Sequence, residues 1–260
     1  MRFIVQSDDK LDIDREILLE KLERHKIIHD CFRLKMHELK EINLTYTGVE
    51  IPIGSISFVT KCLNKLVGFN KENPIELPKY LRTPEFLKRD YNIVSWDKIP
   101  RTGEYFLKDA STLKHFTYCG NMEYFIQDDI FEEPKHWFDT SLRLSKDAWY
   151  IVSKPVNILS EYRVYVIDKK LVAIAQYDGS PLKLPDTDLI CEAIKLINEN
   201  EEFLNSYTLD VMVTSKGTSL IEVHNFTSCG LYTTVFGDEL LLGYRQGIEY
   251  LLNDNRPLEV

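Results

Sequence analysis

Asp210 and Glu222 occupy matching places in two apolar runs within LDVMVTSKGTSLIEVHNFTSCGLY, residues 209–232. Each run alternates apolar with other residues, and Lys216-Gly217 between Thr and Ser supplies a turn, so the stretch predicts a β-hairpin. Side chains along a strand repeat with period two, so Leu209, Val211 and Val213 share one face and leave Asp210 and Met212 on the other. On the second strand Ile221 and Val223 are expected to point one way, Glu222 and His224 the other. If the two polar faces coincide, the carboxylates converge on one spot, and hard oxygen ligands of that kind suit Mg2+ carried with substrate phosphates. The alternative is an amphipathic hairpin whose polar face is simply solvated.

Two other positions have side chains suited to anions. In EYRVYVI, residues 161–167, Glu161 and Arg163 share a face. The planar, always-charged guanidinium of Arg163 matches phosphate or acyl-phosphate oxygens in a partly desolvated cleft; a surface cross-strand salt bridge gives the same pattern. Lys108 ends the apolar run Glu104–Leu107 and precedes small polar residues, a position from which it reaches nucleotide phosphates or, in the alternative reading, water. The chain has no GxxxxGK[ST], and Leu107-Lys108-Asp109-Ala110-Ser111 does not form the K-x-D-G of nucleotidyl-transferring ligases, which argues against both of those routes.

The elements that must hold these groups can be read coarsely. Arg2 to Gln6 is strand-like, and Asp12 or Asp14 caps a helix carrying Ile13, Ile17, Leu18 and Leu22. Glu50 to Ser57 reads as a strand and turn with a short helix over Phe58 to Leu66. In that stretch EIPIGSISF either lines an acceptor pocket or is a core strand turning tightly at Gly54. Pro74, Pro78, Pro84 and Pro100 mark an irregular connection into a second unit. Strands are expected over Trp149–Val152, Tyr162–Ile167 and Leu171–Gln176, the first two separated by Ser153-Lys154-Pro155-Val156. A helix runs from Asp188 with Ile190, Ala193, Ile194 and Ile197 on one side, and a last helix covers about 238–252.

Composition narrows the function class. With 260 residues, 44% hydrophobic, the chain can bury a sizeable core, and a net charge of -9 disfavours nucleic-acid backbone as the main partner. No long apolar run or signal segment is present, so the expectation is a soluble, cytoplasmic protein that uses no membrane. Five widely spaced cysteines without a CxxC pair read as reduced structural thiols. His25, His29 and Cys31 are close in sequence but sit among charged residues of a solvated helix, and the aromatics Tyr118, Tyr124, Phe125 and Trp137 read as core.

The order of the pieces is more specific than any one of them. A lysine strand, a proline hinge, E-x-R, an amphipathic helix, then D followed by E-x-H-N and Gly-Leu-Tyr resembles the ATP-grasp superfamily over about residues 80–252. The likeness is to a bacteriophage-type clade with K-x-x-x-x-x-K, s-E-[YW]-R-V and l-D…i-E-v-N…G-l-Y, similar in architecture to glutathione synthetase and RimK-type ligases. The resemblance implies an α+β chain: a small α/β N-terminal domain over 1–80, then an ATP-grasp domain over 81–260. Its two α+β lobes, about 81–153 and 154–260, would grip ATP.

The implied activity is an ATP-dependent carboxylate-amine ligase working through an acyl phosphate and releasing ADP and phosphate. An inactive ATP-binding regulator and a kinase-like phosphotransferase stand as alternatives. Carried over, the resemblance puts Lys108 on the α- and β-phosphates, with Lys114 as a second phosphate or substrate contact. Arg163 goes on the γ-phosphate and acyl phosphate, and the backbone of Ser153, Lys154 and Val156 on adenine. Glu161 goes beside Arg163 or the ribose, and Mg2+ on Asp210 and Glu222. The usual Glu-x-Asn is Glu222-Val223-His224-Asn225 here, so His224 and Asn225 are alternative third ligands, and the choice between Mg2+ and Mn2+ turns on that position. The implied partners are small-molecule or peptide carboxylate and amine substrates and a second copy of the chain in a homodimer.

Overall fold

The computed structural model describes residues 2–7, 31–41, 50–69, 77–110, 117–123, 148–233 and 235–253, with positions 18, 20, 23, 24 and 47. The chain begins with β1 (Arg2–Gln6), flanked in parallel by β2 (Cys31–Leu34) and β3 (Glu50–Ile53). Of the helix expected after Asp12 or Asp14, Leu18 and Glu20 are described and helical, whereas His25 and His29 lie outside the described residues. Helix α1 (Ile56–Val67) starts two residues before the expected Phe58, because Ser55 caps it by accepting the Phe58 N–H, and it ends at Gly68 in the left-handed region. β3 is buried throughout, and a Cβ on Gly54 would come 2.6 Å from Gln6 Cβ, which makes EIPIGSISF a core strand and turn.

The proline-punctuated connection is docked rather than loose. Leu77 and Leu81, with Phe86 and Leu87 of the short helix α2 (Pro84–Leu87), enter the core beneath the C-terminal sheet. Arg89 Nη1 donates to Ser219 Oγ and Leu220 O, both at 2.6 Å, and the Ser219 hydroxyl donates to Leu87 O. These bonds occupy part of the outer edge of the last strand, where unpaired backbone groups would otherwise face water.

An antiparallel sheet follows, in the order β4 (Asn92–Ser95), β7 (Trp149–Ser153), β5 (Glu104–Asp109), β6 (Thr117–Asn121). Alternation sends Leu107, Tyr150 and Val152 into a small core with Ile99 and Met122. Phe106 and Lys108 fall on the opposite face of β5, next to Ser153 and Ile151 of β7. Tyr118 packs against the small core, while Tyr124, Phe125, Trp137 and Lys114 lie outside the described residues.

The second antiparallel sheet runs β11 (Gly217–Asn225), β10 (Tyr207–Thr214), β8 (Ile158–Ile167), β9 (Lys170–Gly179). Asp168 and Lys169, both at positive φ, make the tight β8–β9 turn. Helix α3 (Thr187–Asn200), capped by Asp186, lays Ile190, Ala193, Ile194 and Ile197 on Tyr162, Val164, Val166, Leu209 and Val211. On the other face Tyr165, Ile167, Ala173 and Ala175 meet α4 (Glu239–Asn253), through Leu241, Tyr244, Ile248 and Leu251, and the N-terminal strands through Phe3, Val5, Ile51 and Ile53. That sheet is therefore covered on both sides except where Arg163 and Asp210 emerge.

One expectation about the hairpin is corrected. The β10–β11 register shifts between Asp210 and Val211, so Ile221 is an extra residue, and Leu220 with Val223 fills the core in place of Ile221 with Val223. Cys62 and Cys229 are buried and Cys119 and Cys191 exposed, none of the four in a disulfide; burial pushes the Cys62 thiol up to about 12. No helix among the described residues is long and apolar enough to cross a membrane.

Candidate nucleotide and metal site

The register of the C-terminal sheet puts three charged groups in one row. Asp210 on β10 is the cross-strand partner of Glu222 on β11 and of Arg163 on β8, and all three share a face. Arg163 grips Asp210 with one edge of its guanidinium, Nε donating to Oδ1 and Nη2 to Oδ2, each at 2.8 Å. Burial works against the Arg163 charge, but the bonds and charge of Asp210 outweigh it and hold the guanidinium above its usual range. The surface-salt-bridge alternative fails because the two side chains are only 11% and 4% exposed.

Lys108 approaches the same row from the other sheet. Its Nζ lies 2.6 Å from Glu222 Oε2, with the two side chains 12% and 8% exposed, so the alternative of a strand-end lysine in water fails too. Beyond the bulge the β11 register is regular, which keeps His224 on the Glu222 face, its Nε2 2.8 Å from Glu222 Oε1. Asn225 is turned to other work: its Oδ1 accepts the Thr227 N–H at 3.1 Å and also the Thr227 hydroxyl.

The Gly-Leu-Tyr segment closes the site from above. The Tyr165 hydroxyl donates to Gly230 O at 2.8 Å and accepts the Tyr232 N–H at 2.9 Å, tying the segment to β8 two residues from Arg163. Arg163 Nη1 donates to the same Gly230 oxygen at 3.3 Å. Tyr232 and Tyr177 stack with centroids 4.9 Å apart, and both rings lie within cation–π reach of Arg163. Glu161, two residues before Arg163, has its carboxyl pushed up by burial, against a hydrogen bond from Tyr177 and in line with the nearby charges of Asp178, Asp210 and Glu222.

Two cross-strand carboxylates with an imidazole beside them suit a divalent cation that takes its remaining oxygens from a ligand. Among the described residues no three His, Cys, Asp or Glu side chains gather into a metal cluster of their own. A family profile described as ATP-grasp domain, R2K clade family 2, matches residues 86–238. The chain belongs to this ATP-grasp family. Among solved structures it resembles D-cycloserine synthetase DcsG, with 9% identity and a TM-score of 0.55 over 96% of this chain and 100% of that one. The ATP-grasp ligase PsnB bound to a minimal precursor gives 13% and 0.50 over 95% and 98%. A RimK-domain ATP-grasp protein from Sphaerobacter thermophilus gives 13% and 0.50 over 96% and 98%. At these identities the likeness is one of fold. Curated proteins searched by sequence give no match.

Within the ATP-grasp frame, the expected hinge falls between the two sheets. Ser153 is the last residue of β7, paired with Phe106, while Lys154 and Val156 lie in the strand-free connection to β8, with Lys154 Nζ 3.6 Å from the Tyr105 ring centroid. Residues that sequence reasoning left out are Phe106 and Ile151, on the face beside Lys108, whereas Met212 lies on the Asp210 face as expected. Alternation in Glu104–Asp109 was the available signal for Phe106. Tyr165 and Tyr177 carried no signal, because their roles rest on partners far along the chain.

Proposed function

We propose that the protein is an ATP-grasp ligase that joins a carboxylate to an amine through an acyl phosphate, using ATP and Mg2+. Family membership and neighbours that are ligases support an ATP-dependent ligase in general terms; the bond formed and the mechanism are the proposal. The observation that carries it is the row of Arg163, Asp210 and Glu222 on one face, met by Lys108 from the facing sheet. With a divalent cation on the carboxylates such a set would neutralise a polyphosphate, and the Arg163 N–H groups not engaged by Asp210 and Gly230 are left for the phosphoryl group in transit.

In this reading Lys108 binds the α- and β-phosphates, and Lys114 is a second phosphate or substrate contact. The backbone of Ser153, Lys154 and Val156 meets adenine, with Phe106 and Ile151 beneath it, and Glu161 serves the ribose or the orientation of Arg163. Asp210 and Glu222 would hold the metal, which would supply neutralisation of phosphate charge. His224 is the better third ligand, since Asn225 already accepts two bonds from Thr227, and an imidazole there admits Mn2+ alongside Mg2+. Arg163 steadies the γ-phosphate as a substrate carboxylate oxygen attacks it and ADP leaves. An amine then attacks the acyl carbon, phosphate departs, and the amine proton is lost. Small-molecule or peptide carboxylates and amines fit this chemistry, as does PsnB, a ligase seen with a minimal precursor.

The test is ATP consumption over a panel of carboxylates with hydroxylamine as the trapping amine. ADP together with a hydroxamate is expected, with the rate falling roughly a hundredfold in Arg163→Ala. AMP and pyrophosphate would exclude an acyl phosphate, and a stable phosphorylated product without hydroxamate would favour the phosphotransferase alternative.

A further inference from the structure

Both carboxylates assigned to the metal are already matched by a cation of the chain itself, and the two pairs differ in where the cation comes from. Arg163 and Asp210 sit on adjacent strands of one sheet, so their pair is fixed whether or not the lobes move. Lys108 and Glu222 are 114 positions apart on β5 and β11, which belong to different sheets, and their 2.6 Å contact holds only while the two sheets face each other closely. The same two groups are the ones the nucleotide needs on opposite sides: the ammonium for phosphate, the carboxylate for metal.

We infer that the Lys108–Glu222 pair is a latch that holds the ligand-free cleft in a self-neutralised state, so that nucleotide and metal enter together and neither binds well alone. The inference rests on the nucleotide-site reading above. Metal alone would have to displace the Lys108 ammonium, leaving it beside a cation. ATP alone would have to take Lys108 and leave the Glu222 carboxylate, 8% exposed, facing phosphate. Only the pair of ligands replaces both lost contacts at once. When the competent state is a small fraction of the population, apparent affinity falls by that fraction, so a latch closed 90–99% of the time weakens a lone ligand about 10- to 100-fold. Lys108→Met supplies the internal control, because without the ammonium the loss of the Glu222 charge can only relieve repulsion.

The experiment is calorimetric titration of ATP, with and without MgCl2, into wild type, Lys108→Met, Glu222→Gln and the double variant, paired with ligand-free urea unfolding of the same three variants. Expected are at least tenfold tighter ATP binding to wild type with Mg2+ than without, and metal-free ATP binding about tenfold tighter in Glu222→Gln than in wild type. In the Lys108→Met background the same Glu222→Gln change should gain at most about twofold, and the unfolding cycle should show non-additivity for Lys108 and Glu222. Equal gains from Glu222→Gln with and without Lys108 would mean simple relief of repulsion and would overturn the latch while leaving the nucleotide site standing, as would additive unfolding. No ATP binding to folded wild type under any condition would remove the nucleotide reading and the latch with it.

Discussion

The two sheets that face the cleft differ in how firmly each is held. The C-terminal sheet has α3 on one face and α4 with the N-terminal strands on the other, and it carries Arg163, Asp210, Glu222 and His224. The facing sheet buries a small core of Ile99, Leu107, Met122, Tyr150 and Val152, and it contributes one charged group, Lys108, to the row. Groups that must keep fixed mutual geometry share one doubly covered sheet, where neighbouring strands set their spacing. A lysine, with a long stem and a point charge, needs only reach and tolerates a less rigid mount.

The sharpest way to break this contrast is to remove the cation from each pair. Arg163→Ala leaves Asp210 buried without its partner and should cost about 3–5 kcal/mol in urea unfolding. Lys108→Met leaves Glu222 still bonded to His224 and should cost about 1–2 kcal/mol. Equal losses would show that both sheets hold their charges alike. Next in size is Tyr165→Phe, which leaves the Tyr232 N–H without its acceptor and removes one donor from Gly230 O, at about 0.5–1.5 kcal/mol. If that variant unfolds like wild type, the Gly-Leu-Tyr segment is held by contacts other than the Tyr165 hydroxyl, the Arg163 bond to Gly230 O among them.

The smallest effect concerns pH. The folded state raises the Glu161 pKa, so over the window above the ordinary glutamate value it holds a proton that the unfolded chain releases. Stability should therefore fall as pH rises through that window, and Glu161→Gln should flatten the slope. A variant whose slope matches wild type would show that burial of Glu161 on this sheet is not felt as a titration.

Much of the covered sheet was legible from the chain, because period-two alternation is a local property. It gave the shared face of Glu161 and Arg163 and the opposed placement of Asp210 and Leu209. The strands β4 and β6 were not legible: four and five residues long, at the edges of their sheet, they carry little alternation. The bulge at Ile221 was missed since an extra residue is defined only against a partner strand. Which of Asn225 and His224 lies beside Glu222 was open in the sequence, because the register that places His224 there and the turn that engages Asn225 involve partners outside the run itself.

By itself, then, the sequence determined the order of elements, the faces of the long strands and the residue types that could meet a nucleotide. Each follows from backbone stereochemistry and spacing within a few residues. Only the tertiary structure decided that Arg163, Asp210 and Glu222 form one row, that Tyr165 ties down Gly230 and Tyr232, and that Lys108 spans 114 positions to reach Glu222. Those choices depend on strand register and on the approach of two sheets, which are set by the packing of distant apolar residues rather than by any local preference of the chain.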